Sequence, residues 1–221
     1  SPAWVRDHVV LGQVLLPGSA FMEMMRAAGE AGAPGEALGL TDVTISKPLV
    51  LTEKSESQVQ VILDPPDVNG GRSARVFSMD EDDEWQMHAE GTLLVGDEET
   101  VETVQSLPPS DAQSVDVSGM YELLAENGLD YGPMFQGVSR VWRRADSVWA
   151  HVTLPENGVA QSSLYGVHPA LLDACFHAIA FASQFDDEQE NAFLPFGLER
   201  MTLPTGGQSS VWLEISEVDL N

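Results

Sequence analysis

The chain has 221 residues, 43% of them hydrophobic, with a mean hydropathy of −0.08, enough apolar material to bury a sizeable core. Its 35 acidic residues against 10 basic ones give a formal charge of −25, which repels a phosphate backbone and removes nucleic acid from the expected partners. Apolar runs stay short of the roughly eighteen residues of a membrane helix, the first residues lack the basic-then-apolar order of a leader, and Cys175 alone forms neither an internal disulfide nor a thiolate metal cluster. A cytoplasmic protein with no membrane partner and no metal is the expectation.

The first patterned stretch is DHVVLGQVLLPGSAFMEMM, residues 7–25, where His8 lies on an apolar, strand-like run. Such a histidine is either a satisfied core group or a chemical one. The spacing His8, Gly12, Pro17 (HxxxGxxxxP) arises by accident in about 0.02 of chains with five histidines, given ordinary glycine and proline usage. A glycine ahead of a helix entry can also bring its bare N–H against a carbonyl oxygen and polarise it, so that a nearby imidazole can remove the adjacent proton. From Ala20 the apolar residues Phe21, Met24, Met25 and Ala28 alternate with Glu23, Arg26 and Glu30 at helical spacing, with Ser19 as the candidate cap.

Strand-like segments follow at 43–51, 57–64, 73–79 and 85–95. A helix followed by antiparallel strands is an α+β plan. The acidic runs at 80–85, 96–100 and 185–191 look like solvated loops, since none has the alternating oxygen ligands, central glycine and closing glutamate of a calcium loop. The proline- and serine-rich stretch around 101–117 divides the chain, giving residues 1–104, a linker 105–117, and residues 118–221.

The second half repeats the plan: a short helix at 118–128, strands at 138–144 and 147–155, a long helix at 168–183, and a strand at 211–216. A weak internal duplication accounts for this, and the chain is read as missing edge strands at one or both ends. YGPMFQG, residues 131–137, is a rigid Gly-Pro turn that places a tyrosine and a phenylalanine. The helix HPALLDACFHAIAFAS is apolar almost all round, with Asp173 and His177 one turn apart on a single face. That pair is either a structural link to a neighbouring strand or a carboxylic acid kept neutral by its surroundings so that it can donate a proton. Cys175, without an adjacent base, reads as packing.

HxxxGxxxxP, YGPMFQG, HPALLDACFH and LPFGLE (194–199), in that order over about residues 4–200, resemble the dehydratase domains of modular type I polyketide synthases. The resemblance implies a double hot-dog fold, two helices each wrapped by an antiparallel sheet, with one catalytic residue from each half. It implies His8 as base and Asp173 as acid, supported by Gly12, Pro17, Tyr131, Gly132, Pro133 and His177. A substrate tunnel past Phe135, Gln136, Gly137, Leu194, Pro195 and Phe196 is also implied, with Leu198 standing where the family has an aromatic. The activity implied is loss of water from a 3-hydroxyacyl thioester, carried on the phosphopantetheine of an acyl carrier protein, with no dissociable cofactor. A cyclase, a double-bond isomerase or a silent carrier-binding scaffold is the alternative on the same fold, and a hot-dog thioesterase would lack the His-Gly-Pro spacing. The implied partners are the carrier protein, other domains of one megasynthase and a second copy in a homodimer. Because carrier proteins are also acidic, Arg140, Arg143 and Arg144 are the candidate docking cluster, with an edge strand guarded by charge as the alternative.

Overall fold

In the chain's computed structural model, residues 2–36, 38–52, 57–80, 82–96, 108–144, 147–181, 197–203 and 206–215 are described. Leu11 and Gly12 both take positive φ, 50° and 76°, and so form the tight turn that joins β1 (His8–Val10) to β2 (Gln13–Val14). A single turn of 3₁₀ helix, Ala3–Asp7, leads into β1. Pro17, with φ −67° and ψ 151°, is the N-cap of α1 (Gly18–Gly32), which buries Ala20, Phe21, Met22 and Met25. Ser19, expected as the cap, is instead inside the helix, because the chain already enters helical geometry after Pro17.

Five strands make the largest sheet: β3 (Leu38–Ile45), β4 (Val59–Leu63), β5 (Arg72–Met79), β6 (Trp85–Val95) and, from far along the chain, β11 (Gly197–Leu203). Their order is β11-β3-β6-β5-β4, antiparallel throughout. The expected strand at 43–51 begins earlier and ends at Ile45. Pro48 lacks the N–H that a longer ladder would need, and the β-poor Gly39 and Asp42 hid its start.

A second sheet has the order β12-β10-β9-β7, formed by β7 (Gln113–Val115), β9 (Val138–Arg144), β10 (Ser147–Thr153) and β12 (Ser210–Ile215). β7 lies within the stretch read as linker, so part of that connector is an edge strand paired to β9. Short helices α2 (Met120–Glu126) and α3 (Glu156–Val159) flank these strands. Helix α4 (Pro169–His177) packs on β9 and β10, while α1 packs on β3, β4, β5 and β6. α4 is shorter than the expected 168–183: it tightens into 3₁₀ geometry over Ala178–Phe181, a common way for a last turn to satisfy its carbonyls.

Three features weld the halves together. β8 (Leu129–Tyr131) pairs with β1 in a small sheet of order β2-β1-β8, β11 crosses back onto the first sheet, and α1 packs against α4. The buried apolar residues form one continuous cluster that joins Phe21, Met25, Leu40 and Leu93 to Phe135, Val141, Val148 and Leu171.

Candidate active site

His8 opens β1 directly across from Tyr131 of β8. The β1–β2 hairpin folds Leu15 back over it: the Leu15 N–H donates to the His8 carbonyl at 3.1 Å, and the Leu15 carbonyl meets His8 Nδ1 at 3.0 Å. A carbonyl only accepts, so Nδ1 carries the hydrogen and Nε2 of the neutral ring keeps its lone pair. Burial pushes the His8 imidazole below its ordinary value, against the opposing pull of Asp173 and of the Leu15 hydrogen bond. The ring is thus held neutral, with Nε2 turned toward Asp173.

Asp173 lies on α4, where the apolar sequence buries the whole helix face. Its Oδ2 is 3.7 Å from His8 Nε2 and 3.1 Å from His177 Nε2, and its Oδ1 accepts a hydrogen bond from Ser19 Oγ at 3.3 Å. The residues singled out in the two halves therefore converge on one carboxyl group. His177 is buried, its Nδ1 has no hydrogen-bond partner, and its ring lies 4.2 Å from that of Tyr131 and 5.9 Å from that of Tyr121. Burial and the nearby Asp173 both push the Tyr131 phenol above its ordinary range, which keeps it neutral.

The YGPMFQG turn is locked from the other side by Asp7, a residue the sequence reading did not single out. The Gly132 N–H donates to the Asp7 carbonyl at 2.7 Å and the Met134 N–H to Asp7 Oδ2 at 2.9 Å. A Cβ on Gly132 would lie 2.6 Å from Asp7 Cγ, and one on Gly137 would lie 2.9 Å from Ala174 Cβ on α4, so both glycines are required by close packing. Pro133 is exposed at the turn, and Phe135, fully buried, sits 5.1 Å from the His8 ring. Gln136 is exposed and donates its amide to the Tyr131 carbonyl at 2.7 Å, which braces the turn. Leu194, Pro195 and Phe196 lie outside the described residues.

Gly12 is exposed at the tip of the hairpin, where its positive φ accounts for the glycine. Two of the three docking arginines hold internal partners: Arg144 Nε pairs with Asp111 Oδ2 at 3.0 Å, and Arg143 donates to the Phe181 carbonyl. Arg140 is exposed on β9, opposite His151.

Further residues support the site without any motif to announce them. Buried Glu23 of α1 accepts from the Gly166 and Val167 amides at 2.9 and 3.3 Å while Arg26 grips it through two bonds of 2.9 Å, which ties α1 to the entrance of α4. His168 caps α4, its Nδ1 accepting from the Ala170 N–H at 3.1 Å, and burial pushes it down to about 4. Its ring is 5.3 Å from Trp4, whose Nε1 donates to the Tyr165 hydroxyl at 3.1 Å, just ahead of His8 in the chain. The i, i+3 spacing of Glu23 and Arg26 was the one legible signal among these.

Two helix-packed antiparallel sheets, fused and sharing one enclosed histidine–aspartate pair, make a double hot-dog of the dehydratase class. The polyketide synthase dehydratase domain profile matches residues 1–79, and that of the polyketide synthase dehydratase N-terminal domain matches residues 99–216. Polyketide synthase GfsE of Streptomyces halstedii is 40% identical over 99% of this chain, and mycoketide-CoA synthase of Mycobacterium tuberculosis is 37% identical over 97% of it. This chain spans 6% and 5% of those two proteins.

Among solved structures, the dehydratase domain from the CurK module of the curacin polyketide synthase superimposes with a TM-score of 0.88 at 28% identity, covering 100% of this chain and 78% of that one. A dehydratase studied for substrate selection in the borrelidin and fluvirucin polyketide synthases gives 0.86 at 37% identity, covering 98% of this chain and 76% of that one. Two variants of the CurK dehydratase, one with a histidine replaced by phenylalanine and one with an aspartate replaced by asparagine, are described as inactive. The chain belongs to the dehydratase domains of type I polyketide synthases.

Proposed function

We propose that this domain eliminates water from a 3-hydroxyacyl thioester carried on the phosphopantetheine arm of an acyl carrier protein, giving the 2-enoyl thioester. The observation that carries the reading is the 3.7 Å approach of His8 Nε2 to Asp173 Oδ2 in an enclosed site. His8, neutral and with Nε2 unprotonated, takes the proton from C2. Asp173, as the acid, gives one to the C3 hydroxyl, which leaves as water as the C2=C3 bond forms. Tyr131 and His177 orient the acid and the hydroxyl, and Phe135 walls the base. No dissociable cofactor enters; the phosphopantetheine belongs to the substrate. The carrier protein and other domains of a megasynthase are the proposed partners, with a second copy of the domain as a further one.

The test is to incubate the protein with a 3-hydroxyacyl pantetheine thioester and follow mass and enoyl absorbance, alongside His8→Ala. Loss of one water that depends on His8 supports the reading; unchanged substrate or release of the free acid overturns it. A bifunctional dehydratase-cyclase domain from ambruticin biosynthesis, with TM-score 0.84 and 32% identity, keeps cyclisation in view. A product that keeps the mass of the enoyl thioester, one water below the substrate, while the enoyl absorbance disappears is the sign of that second step.

A further inference from the structure

Ser19 is completely buried at the second residue of α1, yet its hydroxyl does not cap its own helix. It crosses to the other half of the molecule and donates to Oδ1 of Asp173 at 3.3 Å. The other carboxyl oxygen, Oδ2, meets His177 Nε2 at 3.1 Å and His8 Nε2 at 3.7 Å. The two oxygens are therefore not equivalent: one is held as an acceptor by a hydroxyl, and the other faces the imidazoles.

We propose that Ser19 is a positioning residue for the acid, holding Oδ1 as the accepting oxygen so that the transferable proton resides on Oδ2, on the side of His8. This rests on the reading of Asp173 as general acid. In that step the Oδ2–H bond breaks and the C3 hydroxyl oxygen gains the proton. The C3–O bond then cleaves with its electron pair leaving on water, and His8 Nε2 receives the C2 proton as the C2–H pair becomes the new double bond. Negative charge appears on the Asp173 carboxylate as positive charge appears on His8. The Ser19 hydrogen bond strengthens as that negative charge develops, so it favours the transition state over the ground state.

The titratable groups that interact with Asp173 are His8 from β1, His177 and Cys175 from α4, Tyr131 from β8 and Tyr121 from α2. From α1 it receives the neutral Ser19 hydroxyl. Removing that donor leaves the developing carboxylate with one hydrogen bond fewer, so the proton is given up less readily.

The experiment measures single-turnover dehydration of a 3-hydroxyacyl pantetheine thioester over a range of concentrations up to saturation for the full chain, for Ser19→Ala and for Ser19→Thr, with thermal unfolding recorded for each. Ser19→Ala is expected to slow the step roughly tenfold while half-saturation is unchanged. Ser19→Thr, which keeps the hydroxyl, restores the rate. An unaltered rate in Ser19→Ala overturns the proposal, as does equal impairment of both variants, which would mark a packing role. Asp173→Asn separates the two readings: retained turnover there removes Asp173 as the acid, whereas an inactive Asp173→Asn beside an unaffected Ser19→Ala removes only the role of Ser19.

Discussion

The two halves present their catalytic candidates in opposite ways. In the first, the central helix α1 carries neither residue of the pair: His8 stands outside it on a short strand and is oriented by a backbone carbonyl, that of Leu15. In the second, the central helix α4 itself carries Asp173, which is held by side chains, Ser19 and His177. Each half also supplies what the other lacks. Tyr131 and Phe135 of the second half wall the His8 ring, and Ser19 of the first half binds the Asp173 carboxyl. The difference teaches that a duplicated plan was not used symmetrically. Under the proposed roles, a base needs one fixed tautomer, which a backbone acceptor provides, whereas an acid needs its two oxygens distinguished, which takes two separate side chains.

The largest expected effect comes from removing either member of the pair. His8→Ala and Asp173→Asn should each lower dehydration by about 10³-fold while leaving the circular dichroism spectrum intact. Similar losses in both would establish that the halves contribute equally; a large loss in only one would break the comparison. Next is the strap between the halves. Glu23→Ala leaves Arg26 and the amides of Gly166 and Val167 without their acceptor in a buried setting, and should destabilise the domain by about 3 kcal/mol in urea unfolding.

Smaller effects sharpen the picture. Tyr131→Phe, which keeps the ring packed on His177, should slow turnover by roughly tenfold with little change in the unfolding midpoint. Stability itself should depend on pH through histidines held neutral by burial. His168 is pushed down to about 4, so between 6.5 and that value the unfolded chain binds its proton and the folded chain does not, and stability falls as pH drops across that window. His8 and His88 are also shifted downward and add to the same trend. Comparing His168→Asn with the parent by urea unfolding at pH 7 and pH 5 checks this: the variant should show the weaker pH dependence. The smallest effect is expected at the surface. Charge reversal at Arg140, the docking candidate that neither pairs with a carboxylate like Arg144 nor bonds a carbonyl like Arg143, should slow turnover of carrier-bound substrate a few-fold and spare a free pantetheine thioester.

Much of the site was legible before any coordinates, because its chemistry is concentrated in short local patterns. The His8 spacing, the rigid 131–137 turn and the lone ionisable pair on an apolar helix each follow from residue type at fixed intervals. The strands with strong β-formers, 85–95 and 138–144, lie within the same limits in the structure. The Glu23 strap, the Asp7 brace, the His168 cap and the Ser19 hydrogen bond did not announce themselves. Ser19 and Asp173 are separated by 154 positions, and nothing local distinguishes a serine that caps its own helix from one that reaches another.

The amino-acid sequence by itself determined the α+β plan and the duplication of helix and strands, and it singled out His8 and Asp173 as candidates, since periodicity and spacing are properties of neighbours along the chain. Only the tertiary structure decided which Asp173 oxygen faces His8, which His8 nitrogen is free, and that β11 joins the sheet of the opposite half. Those depend on contacts between distant segments, and it is packing, not local propensity, that selects them.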